Sequence, residues 1–457
     1  MTINKSISIL SSKHNSFIES KRKLIAPRVN TDLKEIDPVF REYEYPVCSW
    51  PVLIESDVVQ SLEEMCLKIP KLLSQVPELY FKNDVSKIAE FYYDKNYMLA
   101  EFGLMCYQKK LSTSSRLDLT RTSDGFKILE VNMGPSLGGF QVQSFEKVIR
   151  SLHNNLLQDS SNKYHCRNIQ TSYFKFLVGE ILKHVSEIDK KNEINIFVGM
   201  DSVGEDLTFN TMNFFNNLWE GEINSIGLKG KAITGNLTDL QYVKGNIFYK
   251  NNRIHALTLL NSDLHLKPEV FRAYVLNSLY ITSPIDIQMV EDKRNLAILR
   301  SLAEEKEFTD DENKLILDSI PYTEIVENKN VFYKGKEVNL LQLLKKNKNN
   351  FVVKDATGSQ GKNVFVGKFM TIKEWDEAIN YAVKNTKYIV QEFCDSIDFI
   401  APNFQNEWSK HKLVWGAFGF GDIYGGVWVR MSEVKTDVGV INSAKGAVEA
   451  IVLETSV

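Results

Sequence analysis

The chain has few cysteines, no long apolar run and almost no net charge, and each of these absences excludes a class of protein. The five cysteines among 457 residues form neither a CxxC pair nor a cluster with the seven histidines, so neither a disulfide framework nor a zinc site is expected. No apolar stretch reaches the ~18 residues that a membrane helix needs. The net charge of −3 provides no attraction for nucleic acid or an anionic membrane. We therefore expect a cytoplasmic protein with no nucleic-acid and no membrane partner.

Two common catalytic patterns are missing as well. The sequence has no serine–histidine–acid or cysteine–histidine signature, so covalent acyl-enzyme chemistry is not expected. It also has no Walker loop of the form GxxxxGK followed by serine or threonine. Any site for phosphate must therefore be built from other elements.

A charged hairpin is the most informative feature that the sequence contains. Residues at i and i+2 of a strand point to the same side, so Arg116 shares a face with Asp118, and Glu130 shares a face with Asn132. A three-residue turn at Ser123–Gly125, with glycine in the left-handed position, fits the gap between the strands. That register sets Asp118 opposite Glu130 and Arg116 opposite Asn132, whereas a two-residue turn would break the alignment.

The face that this hairpin presents suits magnesium. Mg²⁺ prefers hard oxygen ligands, usually one or two carboxylates together with phosphate oxygens. Asp118, Glu130 and Asn132 are the predicted metal ligands, with Arg116 beside them. The alternative interpretation is a solvated hairpin with ordinary surface charges.

A glycine-rich turn in the last third of the chain is a candidate for binding phosphates. A predicted strand at 351–354 ends in Lys354, and a second strand returns at 364–367. Such a turn can offer backbone N–H groups to phosphates without obstruction by side chains. The tip consists of small and polar residues: Gly358, Ser359, Gln360 and Gly361. A flexible surface turn is the alternative.

Three further places are candidates for contacts with a nucleotide or a substrate. Lys293 lies at a predicted helix start, where a cation is unfavourable unless an anion binds beside it. A strand at 387–393 ends in Gln391, Glu392 and Phe393, which offer polar and backbone groups for adenine. Arg430 ends another strand and could bind a phosphate or carboxylate through two parallel hydrogen bonds. A surface lysine, the end of an edge strand and a surface arginine are the ordinary alternatives.

The chain divides into four parts by its pattern. Residues 1–110 are predicted to be mostly helical, and their start resembles neither a signal peptide nor a membrane span. The charged hairpin belongs to 111–160. Strands alternate with helices over 192–290, which predicts a small α/β domain with a partly parallel sheet. Residues 291–457 contain the candidate nucleotide-binding segments.

Four local predictions are specific enough to compare with coordinates. The apolar spacing predicts helices over 85–107 and 141–157. The short apolar runs at 223–228 and 439–442 are predicted to be strands.

Together these segments resemble the ATP-grasp enzymes. The resemblance rests on five elements of this sequence: Asp292-Lys293 at a helix start, Lys354 before the glycine-rich turn, the Gln391-Glu392 hinge, Arg116-x-Asp118 and Leu129-Glu130-Val131-Asn132. In most ATP-grasp proteins the last two elements come at the end of the chain, but here they come first. This order is similar to that of the circularly permuted ATP-grasp group and to the arrangement of glutathionylspermidine synthases. The resemblance leaves out residues 1–110.

The resemblance implies an α/β and α+β architecture. A circularly permuted ATP-grasp fold would be formed by 291–457 together with the hairpin at 111–160. A Rossmann-like pre-ATP-grasp domain would occupy 192–290, and a helical N-terminal segment would occupy 1–110.

The resemblance also implies roles for the candidate residues. ATP would lie between two subdomains, with its phosphates against Lys293, Lys354 and the loop Gly358–Gly361. Adenine would lie at Gln391, Glu392 and Phe393. One or two magnesium ions would bind Asp118, Glu130 and Asn132. Arg116 would face the transferring phosphoryl group and the substrate carboxylate, and Arg430 is assigned to the same catalytic group.

The implied reaction is the ATP-dependent joining of a carboxylate to an amine through an acyl-phosphate, with release of ADP and phosphate. Phosphoryl transfer depends on positioning and charge neutralisation, which agrees with a site of lysines, arginines and acids. Amino acids or short peptides are the expected substrates, and a homodimer is the expected assembly if the chain associates. The loops Gly134–Gly139 and Gly421–Gly426 are candidate walls for the amine. A phosphotransferase acting on a small molecule and a non-catalytic nucleotide-binding protein remain as alternatives.

Overall fold

The computed structural model describes residues 28–153, 164–186, 188, 192–199, 205–259, 268–358, 361–436 and 439–455. Over these ranges the chain forms a mixed α+β fold with several separate sheets. Strands are numbered β1–β21 and helices α1–α13 in chain order. The helices are α1 (Ser56–Leu73), α2 (Val76–Leu79), α3 (Val85–Tyr92), α4 (Tyr97–Tyr107), α5 (Glu146–Leu152), α6 (Ile169–His184), α7 (Glu205–Ser225), α8 (Pro268–Val275), α9 (Ile287–Val290), α10 (Arg294–Glu304), α11 (Asp310–Ser319), α12 (Leu340–Lys346) and α13 (Ile372–Asn385).

The largest sheet of the described chain has eight strands and carries the charged hairpin at one edge. Its path runs β1-β21-β20-β19-β2-β3, with β4 added to β21 and β18 added to β19. Only the pair of β1 with β21 is parallel. The strands are β1 (Val52–Ile54), β2 (Ser114–Thr122), β3 (Gly125–Met133), β4 (Tyr164–His165), β18 (Phe399–Pro402), β19 (Trp408–Phe420), β20 (Ile423–Glu433) and β21 (Val448–Thr455).

A second sheet is parallel and lies within 192–290, where the alternation of strands and helices predicts one. Its described strands follow the order β11-β10-β5-β6, and all three pairs are parallel. They are β5 (Ile196–Gly199), β6 (Ala232–Thr234), β10 (Ala256–Leu259) and β11 (Tyr280–Ile281). A small antiparallel sheet from the same region consists of β7 (Leu240–Val243), β8 (Asn246–Tyr249) and β9 (Asn252–Ile254).

A third sheet carries the glycine-rich turn and is antiparallel. Its order is β12-β17-β15-β16. The strands are β12 (Thr323–Ile325), β15 (Phe351–Asp355), β16 (Val364–Val366) and β17 (Tyr388–Glu392). A separate hairpin pairs β13 (Asn330–Tyr333) with β14 (Lys336–Asn339). The helices around this sheet begin at side-chain caps, since Thr309 and Thr371 each form a capping box with a glutamate three residues on.

The N-terminal helices share their core with the largest sheet. The apolar stripe of α1, including Leu62 and Ile69, is buried in one cluster with Trp415 of β19 and Val429 of β20. Strand β1 extends the same sheet through its pairing with β21. Because burial of an apolar stripe stabilises an amphipathic helix, the described residues before 110 are an integral part of this layer.

Several local predictions differ from the structure. The predicted helix 85–107 is interrupted between α3 and α4, where Asp94 and Lys95 have positive φ angles. The predicted strand 223–228 is wrong, because 223–225 are the last turn of α7. The short apolar run cannot distinguish a strand from a buried helix end. Residues 439–442 form no strand and lead into a short 3-10 turn. The predicted helix 141–157 begins as a 3-10 helix and continues as α5, and its last residues lie outside the described ranges.

Among the described residues no helix combines the length and apolar character needed to cross a membrane. The five cysteines all lie within the described ranges and are free thiols.

Close packing of Trp428 against glycine generates a prediction about stability. A Cβ atom on Gly416 would lie 2.1 Å from Trp428 Nε1, whereas a Cβ atom on Gly221 in α7 would meet nothing within 4 Å. We expect Gly416→Ala to lower the free energy of unfolding by about 1–3 kcal/mol through overpacking. Gly221→Ala, the matched control, should be neutral or stabilising by about 0.5–1 kcal/mol. Denaturant titration measures both, and equal stabilities would contradict the packing described.

Candidate active site

A single large cleft of about 2140 Å³ brings together segments that are far apart in the sequence. The hairpin β2–β3 and the loop that follows it form one wall. The start of α10, the glycine-rich turn between β15 and β16, and the strands β20 and β21 complete it. Eight of the predicted site residues line this cleft: Arg116, Asp118, Glu130, Asn132, Lys293, Gly358, Gly361 and Arg430.

The hairpin has the predicted cross-strand pairs but reaches them by a different turn. Asp118 pairs with Glu130, and Arg116 pairs with Asn132. The tip is a two-residue loop, because Thr122 pairs directly with Gly125. A bulge between Asp118 and Leu119 restores the register by leaving Leu129 as the extra residue of β3. The expected three-residue turn is therefore wrong, since a bulge inserts one residue and realigns the strands beyond it.

The Asp118 carboxylate is held between two arginines. Arg116 donates from Nε to Oδ1 (2.8 Å) and from Nη2 to Oδ2 (3.2 Å), and Arg430 donates from Nη2 to Oδ2 (2.6 Å). Burial alone would raise the pKa of Asp118, but the two guanidinium groups outweigh burial and hold it at about 2. Asp118 therefore stays ionised at neutral pH, and most of its acceptor capacity is used by the arginines.

The arginine pair is fixed on one side and open on the other. Arg116 also donates from Nη1 to the Gly138 carbonyl (2.8 Å) in the loop after β3. Arg430 Nε is buried and has no hydrogen-bond partner among the described residues, and its guanidinium lies 5.2 Å from the Trp428 ring. Both arginines line the cleft, so an anion that enters it would lie next to their positive charges.

Glu130 and Asn132 lie next to each other and beside a lysine. With the Asn132 amide turned to satisfy its neighbours, its nitrogen donates to Glu130 Oε1 (2.8 Å) and its oxygen accepts from Arg116 Nη2 (3.3 Å). Lys293 Nζ lies 3.4 Å from Glu130 Oε1 and donates to the Gly358 carbonyl (2.5 Å). The acid, the amide and the lysine therefore meet the glycine-rich turn at one point.

Lys293 is the residue at which helix α10 begins, as its sequence position predicts. It is the N-cap and has no side-chain cap hydrogen bond. The side chain of Asp292 instead accepts from the Arg294 backbone N–H (2.8 Å) and pairs with the Arg294 guanidinium at 2.7 Å. The Lys293 ammonium is thus left to face the cleft at a helix N-terminus, which favours bound anions.

Lys354 joins the third sheet to the charged hairpin. Its Nζ donates to the Leu129 carbonyl (3.0 Å) and to Gln391 Oε1 (2.7 Å). Burial lowers the pKa of Lys354 to about 8, although the nearby Glu130 charge raises it. Lys354 is buried and is not among the residues that line the cleft, but it lies close enough to Glu130 and Lys293 for their charges to act on it.

Hydrogen bonds near the two ends of the glycine-rich turn hold it in place. Asp355 accepts from the Thr357 backbone N–H (3.0 Å) and from the Asn363 side chain (3.3 Å). Gly361 has a φ of 69°, and its carbonyl accepts from Lys445 Nζ (3.2 Å). Gly358 and Gly361 line the cleft. The predicted phosphate contacts at Ser359 and Gln360 lie outside the described residues.

The three residues predicted for adenine are placed differently from the rest. The Gln391 side chain is buried and is shared between Lys354, the Ile128 carbonyl and the Thr323 hydroxyl. Glu392 accepts from Tyr333 and Lys334, and the Phe393 ring packs near Phe369. Gln391, Glu392 and Phe393 do not line the cleft.

Sequence reasoning missed a carboxylate behind the arginine pair. Glu449 of β21 is the cross-strand partner of Arg430, and it accepts from Tyr43 (2.8 Å) and Ser443 (2.5 Å). Burial raises the pKa of Glu449, although these hydrogen bonds and the two arginines lower it. In the sequence, Glu449 is an acid within an apolar strand, which is only a weak indication of a functional residue. Of the two glycine loops suggested for the amine, Gly134–Gly139 borders the cleft and Gly421–Gly426 does not.

The donor set fits magnesium better than a transition metal. Within the described part of the chain, no three histidine, cysteine or acidic side chains converge as a ready-made metal site. With the Asn132 amide in the opposite orientation, its oxygen lies beside the Glu130 carboxylate, and these two oxygens are hard ligands. Mg²⁺ usually takes few protein ligands and completes its shell with phosphate oxygens and water. The residues present are sufficient for that mode of binding.

Comparisons with known proteins support a distant relationship in fold. No known protein family matches the sequence, and no curated protein sequence matches it. The chain is similar to the structure of a glutathione synthetase-like effector from Globodera pallida in its apo form. The similarity has a TM-score of 0.51 at 13% sequence identity, and it covers 90% of each chain. The chain therefore has a mixed α+β fold like that of a glutathione synthetase-like protein.

Proposed function

We propose that this chain is an ATP-dependent carboxylate–amine ligase with a circularly permuted ATP-grasp arrangement. The observation that carries the proposal is the meeting of Glu130, Asn132 and Lys293 with the glycine-rich turn, next to two arginines clamped on Asp118. A nucleoside triphosphate with magnesium matches this mixture of cations and hard oxygen ligands.

The proposed roles follow from the charges in the cleft. Lys293 and Lys354 would neutralise the phosphates, and the turn with Gly358 and Gly361 would cover them. Glu130 and Asn132 would hold magnesium, which when bound neutralises charge on the phosphates. Asp118 would add at most one bond to the metal, through Oδ1, because Oδ1 already accepts one hydrogen bond from the arginines and Oδ2 accepts two. It would mainly hold the guanidinium groups in place.

The arginine pair is the proposed binding point for the reacting carboxylate. Arg116 and Arg430 are immobilised by Asp118, and Arg430 retains a buried donor without a partner among the described residues. Charge-assisted hydrogen bonds to a carboxylate or phosphate are stronger than neutral ones. The arginines would therefore orient the acid and stabilise charge as its phosphoryl group is transferred. An amine then displaces phosphate to form the amide.

The proposed assignment of the parts follows the sequence prediction. The parallel sheet within 192–290 would be the pre-ATP-grasp domain. Residues 291–457, with the hairpin of 111–160, would form the ATP-grasp core. Adenine would lie along the end of β17, beside Glu392 and Phe393, whose backbone N–H groups donate to the Tyr322 and Asn350 carbonyls. The free thiols favour a reducing, cytoplasmic compartment.

Product analysis tests the reaction class. Purified chain with MgATP is supplied with amino acids or short peptides, with amines, or with both, and phosphate release is followed. We expect turnover only when an acid and an amine are present together, and a product whose mass equals the sum of both minus water. A product carrying a phosphoryl group would identify a phosphotransferase instead. Nucleotide binding without turnover on any pair would contradict catalysis.

Replacement of the proposed metal ligand tests the cleft. Glu130→Gln keeps the shape of the side chain but removes its charge, so we expect at least a tenfold loss of rate, about 1.4 kcal/mol of barrier. Asp124→Asn at the exposed tip of the same hairpin is the matched control and should be silent. Turnover under saturating MgATP is the measurement. Unchanged turnover in Glu130→Gln would remove Glu130 from the metal site.

The depressed pKa of Lys354 predicts the pH dependence of nucleotide affinity. Lys354 would attract the phosphates through its charge only when protonated, so its pKa of about 8 means that affinity falls as pH rises through that value. Between pH 7 and 9 we expect the affinity for MgATP to fall about tenfold, since roughly nine-tenths of this lysine is then neutral. Isothermal titration calorimetry measures the affinity for MgATP at both pH values.

The matched variant for this experiment is Lys354→Gln. It should bind MgATP more weakly at pH 7 and lose most of the difference between pH 7 and 9. The same tenfold fall in the variant would show that another group is responsible.

A further inference from the structure

One end of the cleft has an apolar lining that the proposed nucleotide site does not use. The whole cleft has a volume of about 2140 Å³, more than twice the upper end of the ~300–1,000 Å³ that is typical of small-molecule sites. Two helices that face each other border this extra space. Helix α4 contributes Leu99, Phe102 and Met105; helix α8 contributes Phe271 and Val275, and Leu276 follows directly after it. We call these six residues the apolar wing.

The wing is a preformed surface and not a gap between loose helices. The rings of Phe102 and Phe271 lie 4.9 Å apart and join the two helices. Leu99, Phe102 and Met105 follow a three-residue spacing, so they share one face of α4. Met105 and Leu276 nevertheless keep 42% and 55% of their surface exposed. Large apolar side chains that line a cleft and remain exposed mark a place where ligand atoms are bound.

The charges around the wing favour an anion over a cation. Arg272 of α8 lines the cleft, is exposed and forms no ion pair among the described residues. The acid nearest in sequence to the wing that lines the cleft, Asp94, is paired with Lys387 at 2.6 Å. The other lining acid on this side, Glu291, is exposed and lies close enough to Lys293 for the lysine charge to act on it. Among the described lining residues of α4 and α8 themselves, Arg272 carries the charge, so an anionic chain in the wing would find its partner there.

The wing is continuous with the proposed site of reaction. The segment that follows β11 leads toward the hairpin and also lines the cleft, through Ser283, Pro284, Ile285, Ile287 and Gln288. A Cβ atom on Gly134, at the end of β3, would lie 3.3 Å from Ile287 and 3.7 Å from Ser283. A molecule that lies in the wing therefore reaches the loop after Asn132 without leaving the cleft.

We propose that the apolar wing binds an aliphatic or aromatic chain that carries an anionic group, as part of a substrate. The proposal rests on the proposed function only in calling this molecule a substrate, because an apolar site with an exposed arginine needs no catalysis to bind. It specifies the substrate class as amphipathic and negatively charged.

Binding of simple probes tests the wing. Calorimetric titrations with decanoate, decylamine and acetate, below micellar concentrations, report the apolar contribution and the charge preference separately. We expect saturable binding of one decanoate, at least about tenfold tighter than decylamine, and no measurable binding of acetate. Replacing both Met105 and Leu276 with serine should weaken the binding of decanoate by about tenfold or more, because their apolar contacts are lost. Arg272→Gln should remove the preference for decanoate over decylamine.

Helix α4 offers a matched control. Met98 is 59% exposed and does not line the cleft, so Met98→Ser should bind decanoate as the unmodified chain does. The affinity for MgATP, measured on the same samples, verifies that the variants are folded. Equal decanoate affinity in the double variant and the parent, or an equal loss in Met98→Ser, overturns the proposal. If the chain binds decanoate but shows no ligase turnover, the proposed function is wrong and the proposal about the apolar wing still holds.

Discussion

The site depends on one buried lysine that ties the sheet of the glycine-rich turn to the charged hairpin. The bulge in the hairpin leaves Leu129 without a cross-strand partner, and the Leu129 carbonyl accepts from Lys354 at 3.0 Å. Gln391 holds the same ammonium and also donates to the Ile128 carbonyl. A buried cation must be satisfied by such partners or lose its charge. The irregularity in the hairpin therefore both aligns Asp118 with Glu130 and docks the phosphate-binding sheet.

The two acids of the hairpin are paired with cations in the cleft. Asp118 pairs with Arg116 and Arg430, and Glu130 pairs with Lys293. A nucleotide with magnesium would exchange these partners without adding an unpaired charge to the interior. Breaking such a pair by removing one member leaves the other charge buried, which is strongly unfavourable. This constraint explains why arginines, acids and lysines occur here together and why Glu449 lies behind the arginine pair.

Much of the site could be predicted because it follows local rules. The two-residue period of strands placed Arg116 beside Asp118 and Glu130 beside Asn132, and the register of the pairs was correct. The turn was not, because the bulge at Leu129 depends on contacts with Lys354, more than 200 residues away. Glu449, Trp428 and the apolar wing were missed for the same reason, since their environment is made by distant segments. The run 223–228 failed because short apolar stretches suit a helix end and a strand equally.

The central claim is that the early hairpin, the start of α10 and the glycine-rich turn bind one nucleoside triphosphate. A crystal structure of the chain with magnesium and a non-hydrolysable ATP analogue tests it most directly. The account predicts phosphates in contact with Lys293 and Lys354, and a metal ion within ligand distance of Glu130 and Asn132. A nucleotide bound elsewhere, or a metal ion that touches neither Glu130 nor Asn132, would contradict it.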